Sequence, residues 1–98
     1  MGKLDEAIVN YRKALAIKPD NTEANNNLGI ALKELKKFEK ASESFNKAIK
    51  IDSNFAEAYN NLGIVLKELN QIDSAIDNWK KSIKIKPDYV VHGDDWKT

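Results

Sequence analysis

The stretch Asn26-Asn27-Leu28-Gly29 (NNLG) returns as Asn60-Asn61-Leu62-Gly63, 34 residues later, and that interval decides the fold. Sliding residues 22–55 onto 56–89 gives 16 identities in 34 positions. The shared frame is E-A-x-N-N-L-G-I-x-L-K-E-L, then Ala41 and Ala75, then K-x-I-K-I. Self-similarity at a fixed period is the mark of a stacked-repeat architecture. Residues before Thr22 supply half a unit: Ala7, Tyr11, Ala14 and Ile17 stand one period ahead of Ala41, Phe45, Ala48 and Ile51.

Each full unit reads as two helices. Ala24, Leu28, Ala31, Leu32 and Leu35 recur at helical spacing and form one apolar stripe, repeated by Ala58, Leu62, Val65, Leu66 and Leu69. Lys36-Lys37 and Asn70-Gln71 interrupt the stripes and predict short turns. Phe38, Ala41, Phe45, Ala48 and Ile49 form a second stripe, echoed by Ile72, Ala75, Trp79, Ser82 and Ile83. Gly29 and Gly63 fall in mid-helix, where each costs about 1 kcal/mol against alanine. Close packing of a bulky neighbour is the expected compensation. Pro19 and Pro87 end second helices, with Ser53 in the equivalent middle position, because proline cannot continue a helix interior. Asp20 and Asn54 are expected to cap the helices that follow, with Glu23 and Glu57 three residues on in capping-box spacing.

Composition narrows the functional classes. The chain has 98 residues, 16 basic and 15 acidic, with no cysteine. Such a balance gives no bulk attraction to nucleic acid or membranes, and no disulfide or thiolate metal site is available. No apolar run reaches the roughly 18–20 residues that span a bilayer. A soluble, cytoplasmic protein is expected. His92 is the one histidine, without a nucleophile at useful spacing, and Asp94-Asp95 beside it are too few for a metal site. No catalytic, cofactor or metal-binding residue is expected, so the chain does not read as an enzyme.

The helix–turn–helix unit closely resembles the tetratricopeptide repeat (TPR). The carriers are Leu28-Gly29, Ala41, Phe45 and Ala48, then Tyr59, Leu62-Gly63, Ala75, Trp79 and Pro87. Three positions depart from that pattern: Asn25 stands where a bulky aromatic is usual, Ser53 where proline is usual and Ser82 where alanine is usual. The resemblance implies an all-α, right-handed α-solenoid of about five helices, one domain over residues 1–98. Residues 4–21 would be the second helix of a partial unit, 22–55 and 56–89 full units, and 90–98 the start of a further unit or a tail.

The resemblance also implies a concave groove lined by the first helix of each unit. Asn27 lies about 100° from the Leu28 direction, with Glu23, Ile30 and Glu34 on the same flank, Asn26 beside it and Lys33 beyond; Glu57, Asn61, Ile64 and Glu68 repeat that flank one unit later, with Asn60 beside it and Lys67 beyond, and these residues would line the groove. An asparagine amide offers a donor and an acceptor on one plane and can pair with a peptide backbone. Asn27 and Asn61 are similar in placement to the asparagine ladder in the TPR region of O-linked N-acetylglucosamine transferases, which grips substrate polypeptide. Solvated surface asparagines, kept through recent duplication, are the competing reading. The glutamates on this flank would repel an acidic chaperone tail of the kind that other TPR clamps hold with Lys and Arg. A protein or peptide ligand, neutral or basic, is therefore expected.

Leu4, Ile8 and Tyr11 near one end, with Val90, Val91 and Trp96 near the other, lack a polar capping face. They predict a homo-oligomer through chain ends or, alternatively, an excerpt of a longer protein. Three functions follow: a peptide-binding groove, a self-assembly module, and a substrate-recruiting fragment of a larger enzyme.

Overall fold

The computed structural model describes residues 2–87. Five helices follow one another: α1 (Lys3–Ile17), α2 (Thr22–Glu34), α3 (Phe38–Ile51), α4 (Ala56–Glu68) and α5 (Ile72–Ile85). No strand occurs among the described residues. Each helix packs on its chain neighbours, and α2 also touches α4. The result is an α-solenoid with extents of 41 × 25 × 20 Å. Helices α2 and α4 touch each other, and α1, α3 and α5 alternate with them along the stack.

The small-against-large pattern sets the helix approach. A Cβ built on Gly29 would lie 2.5 Å from Phe45 Cε1, and one on Gly63 would strike the Trp79 indole. Both rings are buried. Each glycine thus surrenders helix propensity so that an aromatic can sit flat on its backbone. Ala41, Phe45 and Ala48 are completely buried with Leu28, Leu32, Leu62 and Val65 close by. Ala75 and Trp79 anchor a second cluster.

The turns within units are a matched pair. Lys36 (φ 62°) and Asn70 (φ 63°) both adopt the left-handed conformation. The Lys36 and Lys37 amides donate to the carbonyls of Lys33 and Leu32, and the Asn70 and Gln71 amides to those of Lys67 and Leu66. This is a Schellman ending, normally made by glycine.

The caps between units differ from expectation. Helix α2 begins at Thr22, so Asn21, not Asp20, holds the cap position, and its Oδ1 accepts from the Ala24 amide at 2.9 Å. Helix α4 has Phe55 at that position and no side-chain cap, so Asn54 does not cap it either. The Asn54 amide instead donates to Asp52 Oδ1 at 3.0 Å. With each helix starting one residue later than the capping-box spacing requires, Glu23 and Glu57 are free for other partners.

Candidate functional site

The twelve expected groove residues lie on α2 and α4, but they divide sharply by exposure. Asn26, Asn60 and Asn61 are buried. Glu57, Ile30, Ile64 and Lys33 are half-buried, while Glu23, Asn27, Glu34, Lys67 and Glu68 are exposed. Ile30 packs at the edge of the first apolar cluster and Ile64 at the edge of the second.

The buried amides work between units. Asn26, 1% exposed, donates through Nδ2 to Glu57 Oε2 at 2.7 Å. Its Oδ1 accepts from Asn61 Nδ2 at 3.3 Å. Glu57 and Asn61 lie four residues apart on α4 and so share one face. One carboxamide on α2 therefore engages a carboxylate and a second carboxamide on α4, bridging the repeats. Asn27, the counterpart of Asn61, has no such engagement and points to solvent.

Asn60 is the counterpart of Asn26, and the positions equivalent to Glu57 and Asn61 one period on are 91 and 95, outside the described residues. Its Oδ1 is buried without a partner among the described residues. The backbone carbonyl of Asn60 accepts from the Trp79 indole N–H at 3.3 Å. Ser82, completely buried where alanine is usual, donates to the Ala56 carbonyl at 3.0 Å. Both bonds tie α5 onto α4.

Of the expected self-association residues, Leu4, Ile8 and Tyr11 are half-buried on α1. Ile8 and Tyr11 pack against the first cluster. Val90, Val91 and Trp96 lie outside the described residues, as do His92, Asp94 and Asp95. The more exposed apolar side chains of α1 are Val9 (41%) and Ile17 (87%), which the stripe pattern did not single out. Among the described residues no group of three or more His, Cys, Asp and Glu side chains is placed to hold a metal ion. No described helix is long and apolar enough to cross a membrane.

Sequence reasoning also missed two clefts of about 570 and 550 Å3, which open on the Leu28 side of α2 and the Leu62 side of α4; Asn25 lines the first, whereas Asn26, Asn27, Asn60 and Asn61 line neither. The first opens between α1 and α3, the second between α3 and α5. Leu28 and Leu32 floor the first, Leu62 and Leu66 the second. The apolar stripes carried no signal for them, because the same leucines count as core.

Known families and structures agree with this architecture. The family model described as TPR repeat matches residues 1–36 and 31–70, and that described as tetratricopeptide repeat matches residues 56–89. No curated protein matches the sequence. The first TPR of Spaghetti (RPAP3), solved with the HSP90 peptide SRMEEVD, is 28% identical with a TM-score of 0.87. That alignment covers 90% of this chain and 70% of the other. MamA is 25% identical with a TM-score of 0.83, over 87% of this chain and half of its own. The second TPR of Spaghetti, 22% identical with a TM-score of 0.84 over 87% of this chain and 79% of its own, shares the fold.

Proposed function

The chain belongs to the tetratricopeptide repeat family, and from that premise we propose that it is a protein-interaction module that holds an extended peptide along the α2–α4 face. The observation that carries this reading is the likeness to the first TPR of Spaghetti, a structure solved with a bound peptide. The repeated stripe supplies the contacts. Asn27 offers an uncommitted donor and acceptor to the peptide backbone. Asn61 lends what its bond to Asn26 leaves over. Ile30 and Ile64 give apolar contact.

The ligand differs in charge from SRMEEVD, which carries three acidic residues and one arginine. Glu23, Glu34, Glu57 and Glu68 stand on this flank, with Lys33 and Lys67 beyond them. Like charges facing each other across an interface are disfavoured, so a neutral or basic segment fits better than an acidic tail. In this reading the module works in the cytoplasm and performs no chemistry of its own.

Fluorescence anisotropy with SRMEEVD and with SRMKKVK, in which lysines replace the acids, tests the reading. SRMKKVK should bind more tightly, and Asn27→Ala should weaken it several-fold. Binding indifferent to Asn27→Ala, or a preference for SRMEEVD, refutes the assignment. Self-association through α1 is a second reading, favoured by the exposure of Val9 and Ile17. A single monomeric species by sedimentation at high concentration would dispose of it.

A further inference from the structure

The two clefts are one period apart, and the difference between them identifies what the first one takes. Arg12, Lys40, Ser44 and Lys47 of the first cleft correspond to Asn46, Ser74, Asn78 and Lys81 of the second. The first cleft also reaches a wall formed by Leu15, Ala16, Pro19 and Asn25. The counterparts of that wall are Ile49, Lys50, Ser53 and Tyr59, and none of them lines the second cleft.

Tyr59 explains the difference. Its hydroxyl donates to the Ser53 carbonyl at 3.0 Å, so its ring lies across the space between its helix and the preceding turn. Lys81 Nζ sits 5.9 Å from the ring centroid, within cation–π range. In the first unit Asn25 replaces the tyrosine and satisfies the equivalent carbonyl with its amide. Asn25 Nδ2 donates to the Pro19 carbonyl at 3.2 Å and to the Asn21 carbonyl at 2.9 Å. The hydrogen bond to the turn is kept while the ring is gone. Lys47, the counterpart of Lys81, lines a recess in which no ring lies beneath it.

Charge separates the clefts further. Arg12, Lys40 and Lys47 face Glu43 alone in the first, whereas Lys81 faces Glu39 and Glu43 in the second. The first cleft is therefore positive and the second negative, and each should steer ligands of opposite sign. Lys40 and Lys47 are seven residues apart on α3, about 10 Å along its axis. That is the reach of about three extended residues.

We propose that the cleft between α1 and α3 is a second binding site, which takes an aromatic side chain of an acidic peptide segment from a partner protein. The ring occupies the space that Tyr59 fills in the next unit, between Asn25, Leu15 and Pro19, with Lys47 over its face. The flanking carboxylates meet Arg12 and Lys40. This site is not lined by Asn27, so it stands apart from the groove proposed above.

The test is anisotropy of the labelled pentapeptide DEYED against the full chain, beside DEAED. DEYED should bind at least tenfold more tightly. Asn25→Tyr supplies the ring from within, and should weaken DEYED at least tenfold while raising Tm. The double variant Lys40→Glu with Lys47→Glu should weaken it as much, while Asn27→Ala should leave it unchanged. Nitrogen-15 NMR of the unmodified chain gives a readout independent of any variant: DEYED should shift the amides of Ala16, Asn25 and Lys47. Equal binding of DEYED and DEAED, or binding that survives Asn25→Tyr, overturns the recess and leaves surface charge alone. Shifts centred on Glu23, Asn27 and Ile30 overturn it in favour of the groove.

Discussion

Replacing Asn26 by alanine tests whether the buried asparagines hold the repeats together. The substitution removes the 2.7 Å bond to Glu57 and the 3.3 Å bond from Asn61. A hydrogen bond to a charged partner contributes about 1.5–3 kcal/mol, and a buried amide left unsatisfied costs about 1–3 kcal/mol. Glu57 is only half-buried and can turn to water, so its share falls at the low end. The Asn61 amide has less access to solvent, being 6% exposed. The expected loss is about 2–4 kcal/mol, a large part of the roughly 5–15 kcal/mol that stabilises a small domain. Urea unfolding followed by circular dichroism measures it. A double-mutant cycle with Glu57→Ala should return a coupling of about 1–2 kcal/mol, because the two groups touch. Asn27→Ala is the internal control: an exposed side chain without a partner should change stability by less than about 0.5 kcal/mol. If Asn26→Ala and Asn27→Ala are equally mild, the inter-repeat bridge contributes nothing and the argument fails.

Two further substitutions probe the packing and the turns. Gly29→Ala gains about 1 kcal/mol of helix propensity but drives a methyl to 2.5–2.8 Å from three atoms of the fully buried Phe45 ring. Overpacking costs about 1–3 kcal/mol, so a net loss of up to about 2 kcal/mol is expected, and a rise in Tm would show that the ring can yield. Lys36→Gly should stabilise by about 0.5–1 kcal/mol, since Lys36 holds φ 62° with an exposed side chain and glycine accepts that conformation without a Cβ penalty. Thermal melting checks it, and Asn70→Gly should gain less because asparagine tolerates the left-handed region better.

The layering was legible because two independent signals agreed. The 34-residue period fixed which helices are equivalent, and a glycine in the middle of α2 and of α4 called for a bulky neighbour, which the structure identifies as Phe45 and Trp79. The caps were less legible, for a local reason. Asp20 and Asn21 are both competent N-cap residues, and only the register of the first helical turn selects the second. Lys36 gave no sign of its left-handed backbone, since lysine has no preference for it; Asn70, in the same place, did. The clefts were invisible because a stripe says which residues face inward. It does not say how far a neighbouring side chain fills the space beside them.

A repeated letter carries a repeated role only where its neighbours are repeated too. Asn27 and Asn61 are the same residue one period apart, yet Asn61 donates to a helix on its N-terminal side while Asn27 meets solvent. Asn25 and Tyr59 are different residues at equivalent positions, yet each donates to the equivalent turn carbonyl of its own unit, Pro19 and Ser53. Identity at the first pair conceals a division of labour, and difference at the second conceals a shared anchor. In a stack whose units touch only their neighbours, a residue's role is set by what the adjoining unit places beside it, so the binding roles proposed for Asn27 and for the recess at Asn25 stand or fall separately.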